Sequence, residues 1–160
     1  MTYAMSDLHG RYDLYIKMLE KINFSDGGTS TYNEYKKLSA EDRKLALMTI
    51  DSFRHYAEVR IGEREFVLCH GGIRDYSDKR PLCDYMIEDL AFYREDYSKP
   101  KFAKRGKYLI TGHTPTAAID GAEEGKIYKT RDHIAIDCGA VFGYGLGCIC
   151  LETMEEFYVK

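Results

Sequence analysis

The chain has 160 residues, 44% of them hydrophobic and 31% charged, with 23 Lys and Arg against 26 Asp and Glu and a formal net charge of −3. That length is one ordinary domain, able to bury roughly 70% of its unfolded surface without disulfide or metal staples. The balance excludes wholesale disorder, and a slightly acidic chain argues against a dedicated nucleic-acid binder, which carries a basic stripe. The opening residues, Met1 to Asp7, have neither the basic nor the apolar region of a secretory signal. The longest apolar runs, Phe66-Val67-Leu68-Cys69 and Cys148-Ile149-Cys150-Leu151, are far too short to cross a bilayer. The five Cys show no C-x-x-C spacing and read as reduced thiols packed as small hydrophobes, so the expected location is the cytoplasm.

In chain order, Thr2 to Met5 reads as a short buried strand, ended by the polar turn Ser6-Asp7-Leu8-His9-Gly10. A helix follows, with Leu14, Met18, Leu19 and Ile22 on one face. Ser25 to Ser30 is a Gly- and Ser-rich loop. Ser39-Ala40-Glu41-Asp42 resembles a capping box and opens a helix with Leu45, Met48 and Phe53 turned inward. Glu58 to Cys69 predicts a hairpin turning at Gly62-Glu63. Leu82 to Tyr93 carries Leu82, Tyr85, Met86, Leu90 and Tyr93 at helical spacing. Tyr108 to Thr111, His133 to Asp137, Gly147 to Leu151 and Glu156 to Val159 read as strands. The whole is a mixed α/β chain with strands dominating its C-terminal half.

One pattern recurs. Three times a short apolar strand empties into a turn carrying His beside Gly: Asp7-Leu8-His9-Gly10, His70-Gly71-Gly72 and Gly112-His113-Thr114. Ligands of open α/β sheets sit at the carboxyl ends of strands, and Gly there lets backbone approach a ligand closely. Imidazole and carboxylate are ligands of Mn, Fe, Zn and Ni. Asp7 and His9, alternate residues of an extended segment, can point at one ion, while His70 and His113 serve a second. Two ions about 4 Å apart clamp the attacking and leaving oxygens of a phosphoryl displacement and lower the pKa of water. His55 and His133 lack this setting and read as ordinary surface or core histidines.

These motifs, with Ile73, Pro115 and the block Ile136-Asp137-Cys138-Gly139-Ala140-Val141-Phe142-Gly143, resemble those of the calcineurin-like metallophosphoesterases. More narrowly, they resemble the bacterial serine/threonine protein phosphatases of the phosphoprotein phosphatase type. The resemblance runs through most of the chain in order. It implies a β-sandwich flanked by helices, with two divalent ions, manganese foremost, or Fe, Zn or Ni. Asp7 and His9 would hold the first ion and His70 and His113 the second. It also implies an Arg on the substrate phosphate. Arg94, in Phe92-Tyr93-Arg94-Glu95, is the first candidate and Arg74 a weaker one, because a guanidinium matches phosphate oxygens bidentately.

The chain departs from the family pattern between its first and second motifs. The block G-D-x-x-D-R-G, whose first Asp bridges the ions, is missing. So is G-N-H-[ED], which carries the general-acid His. The chain contains no Gly-Asp pair, and neither Asn23 nor Asn33 precedes a His. The resemblance therefore implies a member with an internal deletion near Asp26/Gly27, lacking some central strands and an identifiable catalytic acid. Two cations without a bridging anion repel, and two protein ligands per ion fall short of the three usual in catalytic sites. The expected function is a phosphoester hydrolase acting on phosphoserine or phosphothreonine proteins or on small phosphoesters. The alternatives are an inactive remnant that binds metal or phosphate, and a dinucleoside tetraphosphate hydrolase.

Overall fold

Short apolar runs bounded by turn residues produce most of the regular structure. The computed structural model describes residues 2–5, 37–42, 44–45 and 54–160. The expected helix carrying Leu14 to Ile22, the turn with Asp7 and His9, the loop at Ser25 to Ser30 and the junction at Asp26/Gly27 lie outside the described residues, as do Met48 and Phe53, whereas Leu45, expected to turn inward, is exposed. Around Ser39, residues 40–42 and 44–45 are helical, and the Ser39 hydroxyl accepts the Asp42 N–H at 3.1 Å, satisfying a helix-start donor.

The described strands are β1 (Tyr3–Met5), β2 (Tyr56–Ile61), β3 (Arg64–Cys69), β4 (Lys107–Thr111), β5 (Tyr128–Lys129), β6 (His133–Ala135), β7 (Leu146–Cys150) and β8 (Glu156–Val159). They form two sheets, ordered β1-β7-β8 and β2-β3-β4-β6-β5. The hairpin β2–β3 turns through Gly62-Glu63, with Gly62 at φ +60° supplying the left-handed first position of a two-residue turn. The pairs β3–β4 and β4–β6 are parallel; the remaining pairs are antiparallel. The chain is thus mixed α/β and mostly strand.

The period of two sorts each strand onto two faces. Ala4 and Ile149 of the smaller sheet pack with Phe66, Ile110 and Ile134 of the larger one, joined by Ile127, Ile136, Cys138 and Leu151, so the sheets share a core between them. Phe66 also stacks on Tyr108, its cross-strand partner, at 5.4 Å between centroids. On the larger sheet's other face, Val67 and Leu109 meet Ile73, Leu82, Tyr85, Leu90 and Phe102. On the smaller sheet's other face, Leu146 and Cys148 pack with Ala140, Tyr3 and Phe157. All five cysteines are free; Cys138, Cys148 and Cys150 are buried, whereas Cys83 is exposed. Among the described residues no helix is long and apolar enough to cross a membrane.

The segment expected as one helix over Leu82 to Tyr93 is two pieces, a 3-10 turn at Leu82–Asp84 and a five-residue helix at Ile87–Ala91. Tyr85 between them is extended, at ψ 137°. Its hydroxyl accepts the Ser77 N–H at 2.9 Å, and Arg80 covers its ring at 3.9 Å. A continuous helix would withdraw the hydroxyl from that loop, so tertiary docking overrides the 3.6-residue period. Asp89 restarts the helix by accepting the Met86 N–H at 3.4 Å.

The shared core sets a stability expectation. Phe66→Ala empties a site in which Phe66 is 1% exposed and costs about 3–5 kcal/mol, whereas Val141→Ala, at a 47% exposed position, stays within about 0.5 kcal/mol of the parent. Urea unfolding of the two variants checks the contrast.

Candidate functional site

The site begins with a register. Strands β3 and β4 run parallel from Glu65↔Lys107 to Cys69↔Thr111, so both end at the same edge of the larger sheet. His70 follows Cys69, and the Gly112 N–H donates to the His70 carbonyl at 2.9 Å, carrying the ladder one step beyond the strands. The chain then reverses. The Thr114 N–H donates back to the Gly112 carbonyl at 2.6 Å across His113, whose φ is +60°. This is the rare γ-turn with a positive φ at its centre, and at a residue with a Cβ it stores on the order of 1–3 kcal/mol of strain. Its result is that the His113 ring lies beside the His70 ring, with centroids 5.1 Å apart and planes inclined by 54°.

That spacing suits a shared cation. An ion about 2.1 Å from one nitrogen of each ring, at tetrahedral to octahedral angles, puts two imidazole centroids roughly 4.5–5.2 Å apart. Among the described residues no group of three or more His, Cys, Asp and Glu forms a metal cluster, so the described donor set is these two imidazoles. Asp7 and His9 lie outside the described residues. Met5, where β1 ends, lines the same open hollow of about 820 Å³ as His70 and Gly112.

Gly71 and Gly72 serve a closer neighbour than a ligand. Both N–H groups donate to the Leu90 carbonyl, at 2.7 and 3.2 Å. A Cβ on Gly71 would stand 2.6 Å from the Ala91 carbonyl oxygen and 2.7 Å from that of Tyr93; one on Gly72 would stand 2.7 Å from Glu95 Cγ. The expected close approach is therefore backbone against the segment from Leu90 to Glu95, which crosses directly over the turn.

Sequence reasoning missed Glu95, Lys101 and Asp132, which look like solvated charges in a polar stretch. The Glu95 side chain is 2% exposed. Its Oε1 accepts the Ile73 N–H at 2.7 Å, its Oε2 lies 2.7 Å from Lys101 Nζ, and Lys101 Nζ donates to the Ile73 carbonyl at 2.9 Å. Burial holds the Glu95 carboxyl above its ordinary range, against the opposing pull of the Ile73 and Lys101 bonds. Asp132 accepts the Phe102 N–H at 2.8 Å. His133, 1% exposed, stands 3.9 Å from Glu95 and 3.6 Å from Asp132, and burial depresses its pKa so that the neutral ring is favoured. Burial, reinforced by the Glu95 charge, pushes the Cys69 thiol up to about 12, which makes it a poor nucleophile despite its place beside His70.

Arg94 is exposed and lines a cavity of about 450 Å³ with Tyr97, Thr114, Ile119, Asp120 and Tyr128. It thus opens onto the space that also meets Thr114, the residue after His113. Arg74 turns elsewhere. Its guanidinium pairs with Asp89 at 3.6 Å and lies 5.8 Å from the Tyr93 ring centre. Of the sequence-derived residues, His70 and His113 are in contact, Arg94 flanks the turn of the second, and Arg74 braces the short helix.

Two expectations follow. Gly71→Ala forces the crossing segment away and costs about 1–3 kcal/mol in urea unfolding. The depressed pKa of His133 means that its contribution to stability is present above the ordinary value of 6.5 and is lost as pH falls through the folded-state value. The raised pKa of Glu95 acts in the opposite sense, its contribution being present below 4.5 and lost as pH rises through its folded-state value. Melting temperatures of the parent and of His133→Gln, taken from pH 7.5 downward, should show the variant losing less stability below pH 6.5. Compared with known proteins, the chain matches no family model and no curated protein sequence.

Proposed function

We propose that the chain is a metal-dependent phosphoester hydrolase of the serine/threonine phosphoprotein phosphatase type, built as a metallophosphoesterase-like sandwich reduced in its central strands. The observation that carries this reading is the meeting of His70 and His113 at 5.1 Å on the carboxyl edge of adjacent parallel strands. The reading assigns these two imidazoles to one divalent ion, Asp7 and His9 to a second, and Arg94 to the phosphate. Divalent cations, manganese first, would supply concentrated positive charge for the phosphoryl oxygens and lower the pKa of water. The chain's own share is geometric. The γ-turn orients His113, the ladder bond at Gly112 fixes its distance from His70, and Arg94 presents a guanidinium to a phosphate from the adjoining cavity. Five free thiols suit a reducing compartment, in keeping with a cytoplasmic enzyme.

The missing blocks shape the expected substrate range. With no general acid identified, leaving groups that are already weak bases are favoured, and a basic serine alkoxide is disfavoured. The same absence supports the second reading, a remnant that binds metal or phosphate without turnover.

Manganese-supported hydrolysis of para-nitrophenyl phosphate, by protein of verified mass, tests the choice. The expected result is slow turnover that falls by about 100-fold or more in His70→Ala and His113→Ala, with a phosphoserine peptide nearly inert. Arg94→Ala should raise KM, and Arg94→Lys should restore it only in part, because an ammonium lacks the bidentate fork. Turnover that persists in both His variants would sink the reading. Manganese binding without turnover would establish the remnant.

A further inference from the structure

We propose that Glu95 is a positioning residue, a single buried carboxylate that locks the turn carrying His70 to the segment carrying Arg94 and so sets the spacing of the two groups. The proposal rests on the roles given above to His70 and Arg94.

The argument starts from where the carboxylate sits. Arg94 and Glu95 are neighbours, their Cα atoms about 3.8 Å apart, so whatever holds Glu95 holds the root of Arg94. Ile73 lies three residues beyond His70, and both of its backbone polar groups are taken up by the Glu95–Lys101 pair, the N–H by Oε1 at 2.7 Å and the carbonyl by Nζ at 2.9 Å. The Glu95 side chain also fills the space that a side chain at Gly72 would need, coming within 2.7 Å of that Cβ position. Strand β6 passes close by, with His133 Nε2 3.9 Å from Oε2, beyond hydrogen-bond reach. The carboxylate therefore stands where the His70 turn, the Arg94 segment and the larger sheet meet.

Stability alone is a weak reason for such a pair. Two buried charges repay their desolvation poorly, and apolar replacements of similar volume are often neutral or better. What the pair adds is direction. Hydrogen bonds to a main-chain N–H and carbonyl fix the turn along set axes, whereas apolar packing at Ile73 tolerates sliding. His70 itself is exposed, and the turn beneath it is the part that the buried carboxylate holds through Ile73.

The test separates position from stability. Glu95→Leu combined with Lys101→Met removes the pair without stranding a buried charge. Leu82→Ala, in the core on the same face of the sheet, serves as a destabilised control that leaves the pair intact. Side-chain NMR of the metal-free protein follows the His70 and His113 ring resonances. The expected result is that the His70 resonances shift and the cross-relaxation between the two rings weakens in the double variant, while Leu82→Ala leaves both as in the parent. With manganese present, inorganic phosphate should bind about tenfold more weakly to the double variant. Glu95→Gln, which retains an acceptor for the Ile73 N–H, should restore the His70 resonances toward those of the parent. Ring resonances in the double variant that overlay on the parent, or that move no further than in Leu82→Ala, would overturn the proposal. Absence of manganese-supported hydrolysis in the parent would sink the phosphatase reading alone, since the ring resonances are read without metal.

Discussion

The parallel register of β3 and β4 is the constraint on which the rest depends. Pairing Val67 with Leu109 and Leu68 with Ile110 sends alternate residues of both strands to the same two faces. A slip of β3 by one residue would turn Phe66 out of the shared core and place Val67 in it. The same register brings Cys69 level with Thr111, and with them the turns that carry His70 and His113. The imidazole pair is thus a by-product of core packing, with the γ-turn at His113 as the local distortion that completes it.

The outer layer follows from a second constraint, the absence of side chains at Gly71 and Gly72. Their Cβ positions are taken by carbonyl oxygens of Ala91 and Tyr93 and by the Glu95 side chain. Because the segment can come this close, Glu95 is pressed out of water and needs partners. Ile73 supplies the N–H and Lys101 the cation, and Lys101 in turn uses the Ile73 carbonyl. A backbone approach of under 3 Å thereby propagates into a buried polar cluster of Glu95, Lys101 and the Ile73 main chain, beside which His133 and Asp132 are also buried.

Departures from local expectation cluster in this outer layer. The periodicity from Leu82 to Tyr93 satisfies a helix, yet Tyr85 is extended because its hydroxyl is claimed by the loop at Asp75 to Ser77 and its ring by Arg80. Arg74 stands in the sequence as near to His70 as any cation does, yet Asp89 draws it onto the short helix. Both outcomes come from partners distant in sequence, and neither side chain advertises its partner.

The sequence by itself determined the described strands other than β5, the hairpin turn at Gly62-Glu63, the cap at Ser39, and the setting of His70 and His113 at strand ends beside glycine. Each of these is a local property, set by a period of two, by a residue that tolerates positive φ, or by a hydroxyl that accepts an N–H three residues on. Only the tertiary structure decided that β3 and β4 are neighbours, that the helix breaks at Tyr85, that Gly71 makes room for backbone and Gly72 for the Glu95 side chain, and that Glu95 is buried. The physical reason is that strand pairing and desolvation depend on what lies across a gap in space. A Glu in a run of charges looks solvated until the fold lays a glycine turn beneath it.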